Sequence, residues 1–327
     1  MKHFVEEYPL QIKKAIEIGN SAVFTQTEKK INNVVIAGLG GSGIGGTIAA
    51  GYLYNKIKVP VVVVKDYHIP EFVNEKTLFI ASSYSGNTEE TLEALAQAKK
   101  KKAEIVCITS GGKLLKKARE KGFNHIAIPK DYPPRAAFGY SFPQVLYVIH
   151  KYGLISKKFE KQLLESAEYL EKNTQEIKKN AMELANFLFE KIPVLYIASR
   201  FEGVAVRFRQ QLNENSKMLA WHHAIPEMNH NELVGWRKKN NELAVVFFHT
   251  PEDYFRVTKR MEINKKIISE YTSNITDIYA KGDNYLACAN YLVHLTDYTS
   301  VFLAELKNID AVEVDVITYL KSELSKI

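Results

Sequence analysis

Leu78-Phe79-Ile80-Ala81-Ser82-Ser83-Tyr84-Ser85-Gly86-Asn87-Thr88-Glu89-Glu90 runs four apolar residues into a cluster of hydroxyls, a glycine and an acidic pair. An apolar run of that length, bounded by turn residues, predicts a buried strand. Thr88 followed by two glutamates predicts a helix start, with the helix over 88–98, because a hydroxyl caps free N–H groups and acidic residues complement the helix dipole. Working outward, short apolar runs at 34–37, 59–64, 105–108 and 125–128 alternate with amphipathic stretches. That alternation predicts a parallel sheet covered by helices on both faces. Residues 159–192 interrupt it, since Leu163, Ala167, Leu170, Ile177, Ala181, Leu184 and Leu188 keep helical spacing and predict one long helix or a helix pair. The strand rhythm then resumes at 194–198, 243–248 and 275–279.

The expected division is therefore a first α/β domain at 1–155 with an N-terminal helix, a helical connector at 156–192, and a second α/β domain at 193–327. The two halves echo each other, each opening on an apolar strand that leads into a turn and a helix, which suggests a duplication. In open parallel sheets ligands bind beyond the carboxyl ends of the strands, so the loops that follow these runs are the places to search.

Bulk properties narrow the class. A chain of 327 residues with 46% hydrophobic and 25% charged residues has the composition of a globular protein of about two domains. The apolar run at 59–64 falls far short of the about 20 residues a membrane span needs, so no membrane association is expected. The acidic N-terminal segment lacks an apolar core, which argues against a secretory signal and for a cytoplasmic location. Cys107 and Cys288 have no zinc-type spacing and read as buried thiols, and no metal site is expected. The formal charge is +7, and the basic runs 99–102 and 113–119 sit on or after helical patterns, so they read as solvated faces rather than a nucleic-acid surface.

Two loops carry the chemistry. Gly38-Leu39-Gly40-Gly41-Ser42-Gly43 has the spacing of a dinucleotide-binding turn, and Asp66 follows at about the distance of a ribose-binding acid. Glycines in such a turn let backbone amides approach an anion at a helix start, whatever the anion is. A NAD-linked dehydrogenase is one reading of this loop, but it leaves Ser83, Ser85 and Thr88 unused. Three hydroxyls exceed what capping needs, and a terminal phosphate would use them all.

The Ser83-x-Ser85-Gly86-x-Thr88 loop resembles the phosphate loop of sugar isomerase (SIS) domains, and two such halves in one chain resemble the phosphoglucose isomerases. Pro133-Pro134-Arg135-Ala136-Ala137-Phe138-Gly139-Tyr140, Gln211-Leu212-Asn213-Glu214-Asn215-Ser216-Lys217 and Pro226-Glu227-Met228-Asn229-His230-Asn231-Glu232 are similar to hallmark segments of the bifunctional phosphoglucose/phosphomannose isomerase family. The resemblance implies an α/β fold of two SIS-type three-layer αβα domains, each around a mainly parallel, flavodoxin-like sheet. It also implies a cofactor-free, metal-independent aldose–ketose isomerase acting on hexose 6-phosphates through a cis-enediol.

The resemblance further implies roles for individual residues. Glu214 is the base that moves the carbon-bound proton. His230 opens and closes the sugar ring, reaching into the partner's site and so requiring a homodimer; imidazole suits both giving and taking a proton. Arg135, which follows two prolines expected to deny it helical geometry just before the side chain, stabilises the enediolate oxygens. Gly41, Ser42, Ser83, Ser85 and Thr88 hold the phosphate. Ser300 and Lys307, seven apart and two helical turns along a helix expected at 290–306, help hold substrate. A non-catalytic sugar-phosphate-binding SIS protein is the remaining alternative, although the segment before Val34 leaves no room for a helix-turn-helix.

Overall fold

The computed structural model describes residues 1–25, 27 and 29–326. Two short helices open the chain, α1 (Lys2–Glu6) and α2 (Tyr8–Ser21). They are followed by β1 (Asn33–Ala37), α3 (Gly40–Leu53), β2 (Val61–Val64), β3 (Thr77–Ser82), α4 (Glu89–Lys100), β4 (Glu104–Thr109), α5 (Gly112–Lys121), β5 (Asn124–Ala127) and α6 (Phe138–Lys151). The interrupted stretch is a helix pair, α7 (Lys158–Lys172) and α8 (Thr174–Leu188). The second half comprises β6 (Ile192–Ala198), α9 (Glu202–Ser216), β7 (Trp221–Ile225), β8 (Leu243–His249), α10 (Phe255–Ile268), β9 (Ile275–Tyr279), α11 (Tyr285–Leu306) and α12 (Asp315–Leu324).

Both sheets are parallel throughout. The first has the order β2-β1-β3-β4-β5, and the second β7-β6-β8-β9. In the first sheet the chain steps from β1 to β2 on one side and then crosses to β3 on the other. The loops after β1 and β3, which carry the glycine run and the hydroxyl cluster, therefore flank the point where strand order reverses, the crevice that binds ligands in open α/β sheets.

Strand alternation assigns each face of the sheets. Val34, Ile36, Leu78, Ile80, Val106 and Ile108 of the first sheet share one core with Leu195, Ile197, Val246 and Phe248 of the second. The alternate residues Val35, Phe79, Ile105 and Cys107 turn to the outer helices α4 and α5, while Val194, Tyr196, Val245 and Phe247 face α10. The connector contributes Phe159, Leu163, Leu170, Ile177 and Leu188 to the shared interior. It packs against α2 and α11, while α3 and α9 meet between the halves, and burying each such side chain stabilises the fold by about 1.5–3 kcal/mol.

Candidate active site

The hydroxyl loop is a folded turn. Ser83 Oγ lies 2.8 Å from Thr88 Oγ1 and accepts the Gly86 N–H at 3.2 Å, and Ser85 Oγ accepts the Asn87 N–H at 3.2 Å. Gly86 sits at φ +69°, and a Cβ there would overlap the Gly111 carbonyl oxygen, so only glycine fits. Thr88 is the N-cap residue of α4 but makes no side-chain cap bond, because its hydroxyl is turned to Ser83. The helix start thus keeps uncapped N–H groups, with Glu89 and Glu90 in its first turn.

The glycine loop joins this turn to Arg135. Ser42 Oγ accepts the Tyr84 N–H at 3.1 Å on one side. On the other side, a Cβ on Gly41 would stand 2.9 Å from the Pro134 carbonyl oxygen and 3.3 Å from Arg135 Cα. Gly38 is equally confined, since a Cβ there would stand 2.7 Å from the Ser82 carbonyl oxygen. Close backbone approach therefore explains the glycines at 38 and 41. Asp66, the residue the dehydrogenase reading depends on, is exposed and spends an oxygen on the Tyr67 N–H.

The proline pair does not keep Arg135 out of helical geometry. Pro133 is extended, but Pro134 begins a 3-10 turn over Pro134–Ala137 that leads into α6, because a fixed proline φ also suits a first helical position. Arg135 lies inside that turn and is 5% exposed. Its Nε donates to Asn215 Oδ1 at 2.7 Å, its Nη2 to the carbonyls of Ala311 and Val312 at 2.7 and 3.2 Å, and its Nη1 lies 3.4 Å from Glu214 Oε2. Burial lowers the Arg135 pKa below the usual arginine value, and the Glu214 carboxylate opposes that shift. An arginine and a glutamate from different halves thus meet beside the crevice of the first sheet.

Comparison with known proteins gives this geometry a context. Residues 29–151 match the SIS domain family, and residues 177–324 match the bacterial phospho-glucose isomerase C-terminal SIS domain. A bifunctional phosphoglucose/phosphomannose isomerase from Caldicellulosiruptor bescii is 41% identical, over 99% of this chain and 98% of its own. The chain belongs to the bifunctional phosphoglucose/phosphomannose isomerase family. The Aquifex aeolicus protein of the same name is 38% identical over 90% of each chain. A D-glucosamine-6-phosphate 4-epimerase from Sulfolobus acidocaldarius is 29% identical, over 90% of this chain and 89% of its own. Among solved structures, the C-terminal domain of glucosamine-fructose-6-phosphate aminotransferase from Francisella tularensis has the same fold, with a TM-score of 0.74 at 15% identity over 94% of this chain and 96% of that one.

In this isomerase-family chain the second half contributes from helix ends. Glu214 is near the C-terminus of α9, and Lys307 is the C-cap of α11. Glu214, Ser300 and Lys307 lie on helices, as expected, and α9 and α11 pack against each other, with α9 also packed against α3 of the first half. Ser300 is fully buried, with its hydroxyl accepting from Asn215 Nδ2 at 2.9 Å and donating to the Asp297 carbonyl at 2.7 Å. Lys307 Nζ donates to the Ser216 carbonyl at 2.8 Å, and burial lowers its pKa. Ser300 thus backs Asn215, and half-buried Lys307 holds the last carbonyl of α9.

His230 does not join this group. It is exposed at the end of a 3-10 turn, Glu227–His230, that follows the edge strand β7, and among the described residues it bonds to neither Glu214 nor Arg135. No group of three or more His, Cys, Asp or Glu suited to a metal occurs among the described residues, and no helix there is long and apolar enough to cross a membrane. Cys107 and Cys288 are both buried free thiols whose pKa values burial pushes up to about 12.

Sequence reasoning did not single out Arg207, Gln211, Asn215 or Asp297. Arg207 Nη2 bonds Asp297 Oδ2 at 2.6 Å and the Arg135 carbonyl at 3.1 Å, and Gln211 Nε2 bonds Asp297 Oδ1 at 3.1 Å. The available signal was a polar stripe at four-residue spacing, 207, 211 and 215, on the same helix as buried Phe208 and Leu212. Polar side chains on a face that must be buried require partners there.

Proposed function

We propose that this chain interconverts glucose 6-phosphate, mannose 6-phosphate and fructose 6-phosphate at the crevice between its two halves. The observation that carries the reading is the Arg135–Glu214 pair, 3.4 Å apart and joined to the hydroxyl turn through Gly41 and Ser42. The turn at Ser83, Ser85 and Thr88, with the uncapped start of α4, grips the phosphate as a dianion at a helix N-terminus. The open-chain aldose then presents C1 and C2 to Glu214, whose carboxylate takes the C2 proton. The C–H electron pair forms the C1–C2 double bond, and the charge that develops on the oxygens faces Arg135 Nη1. The O2 proton passes to O1, and return of the carbon-bound proton to C1 then leaves a carbonyl at C2 and yields the ketose. Return to C2 after rotation about the C2–C3 bond gives the other aldose epimer. His230, contributed by a second copy, exchanges protons with the ring oxygen to open the sugar.

The test offers purified protein each of the three hexose 6-phosphates and, separately, D-glucosamine 6-phosphate, without added cofactor, and follows products by NMR. Interconversion of all three is expected. Binding of fructose 6-phosphate without turnover would support a sensor instead, and activity confined to epimerisation of D-glucosamine 6-phosphate would reassign the substrate.

A further inference from the structure

A closed circuit of hydrogen bonds passes through Arg135. Its Nε–H donates to Asn215 Oδ1 at 2.7 Å, and Asn215 Nδ2 donates to Ser300 Oγ at 2.9 Å. The Ser300 hydroxyl donates to the Asp297 carbonyl at 2.7 Å, and Asp297 Oδ2 accepts from Arg207 Nη2 at 2.6 Å. Arg207 Nη2 closes the circuit by donating to the carbonyl oxygen of Arg135 itself at 3.1 Å. Side chain and backbone of one residue are thus held by a single loop of partners drawn from α9 and α11.

We infer that Asn215, Arg207 and Asp297 are positioning residues that aim the Arg135 guanidinium. The inference rests on the reading of Arg135 as the cation facing the enediolate. A guanidinium has five N–H donors in a rigid fork. The circuit takes Nε–H, and the Ala311 and Val312 carbonyls take Nη2, so both edges away from the crevice are committed. Nη1 is left facing Glu214. Asn215, Arg207 and Asp297 are each less than 5% exposed, so water cannot replace a missing partner and the fork has one orientation. Because Asn215 also neighbours Glu214 on α9, the same side chain fixes the cation from one half relative to the base from the other.

A purely structural network would hold the halves together and nothing more. The two roles separate in a double-mutant cycle on the full-length protein with fructose 6-phosphate as substrate. Asn215→Leu, close in shape but without polar atoms, is expected to lower kcat by roughly 10- to 100-fold, the scale of a lost hydrogen bond to a charged group, while KM changes little. In an Arg135→Ala background the same substitution is expected to cost almost nothing further, because there is no guanidinium left to aim. An equal loss of kcat in both backgrounds, or no loss in either, would overturn the inference. Should Asn215→Leu fail to fold, Arg207→Lys decides: it keeps a cation near Asp297 but ends one atom short of Nη2, the nitrogen that bonds both Asp297 and the Arg135 carbonyl, so a smaller drop in kcat, again absent beside Arg135→Ala, is expected. If Arg135→Ala alone leaves kcat unchanged, the reading of Arg135 fails rather than the positioning.

Discussion

Arg135 Nη1 and Glu214 Oε2 face each other across 3.4 Å, the arginine 5% exposed and the glutamate side chain 28% exposed. The asymmetry is informative. A buried cation held on its other edges is a fixed feature, whereas a half-open carboxylate keeps one side accessible to a substrate. In the proposed reaction the cation stays in place and the carboxylate carries the proton.

Glu214→Gln tests that division of labour. Glutamine keeps the length and one oxygen for Arg135 but cannot take a proton, so kcat should fall by about 10²- to 10⁴-fold, the usual contribution of a positioned acid–base group. Affinity for 6-phosphogluconate, measured calorimetrically, should stay near that of the unaltered protein. Retained turnover would remove Glu214 from the base role.

Thr88→Ala should act on binding. The hydroxyl that pairs with Ser83 is lost, and with it a hydrogen bond to a charged phosphate worth about 1.5–3 kcal/mol. KM for fructose 6-phosphate should rise by roughly 10- to 100-fold with kcat little changed, and Thr88→Ser should recover most of the loss. An unchanged KM in the alanine variant would put the phosphate elsewhere.

How much of this was legible beforehand follows from the range of each interaction. Strands β1, β3 and β4 and the start of α4 are written in local patterns of apolar runs and caps, and they lie within one or two residues of their expected limits. Strand β7 was missed because Trp221-His222-His223-Ala224-Ile225 lies at a sheet edge, where only Ala224 and Ile225 are buried and no apolar run forms. The circuit through Asn215 and Asp297 joins residues far apart in sequence, and no local spacing announces such a pairing. Only the buried polar stripe on α9 hints that partners exist.

Stability should fall in acid because of His294. Its ring is fully buried against the rings of Tyr8 and Tyr298, neither nitrogen has a hydrogen-bond partner among the described residues, and burial, with Lys178 adding to it, holds its pKa down to about 3. In the unfolded chain it titrates near its ordinary value of 6.5. Between these values the unfolded state binds a proton that the folded state refuses, so stability is lost as pH falls from about 6.5 towards 3, by up to about 1.4 kcal/mol per pH unit. Denaturant unfolding of His294→Leu across pH 7 to 4 should show a shallower decline than the unaltered protein. Parallel curves would mean that another group sets the acid limb.

In the proposed reaction His230, exposed and unbonded to Glu214, serves the site of a second copy. That arrangement has a consequence no within-chain site shares. Glu214→Gln and His230→Ala should each be nearly inactive alone. In a mixed dimer, one site receives both defects, and the other receives an intact Glu214 from one copy and an intact His230 from its partner. Random reassortment of equal amounts should therefore restore about a quarter of the unaltered activity, since random pairing makes about half of the dimers mixed and each of these carries one complete site of two. The measurement is turnover before and after unfolding and refolding the two variants together, with each refolded alone as control. Recovery confined to the mixture requires sites shared between copies, whereas a mixture no more active than its components places His230 outside the site.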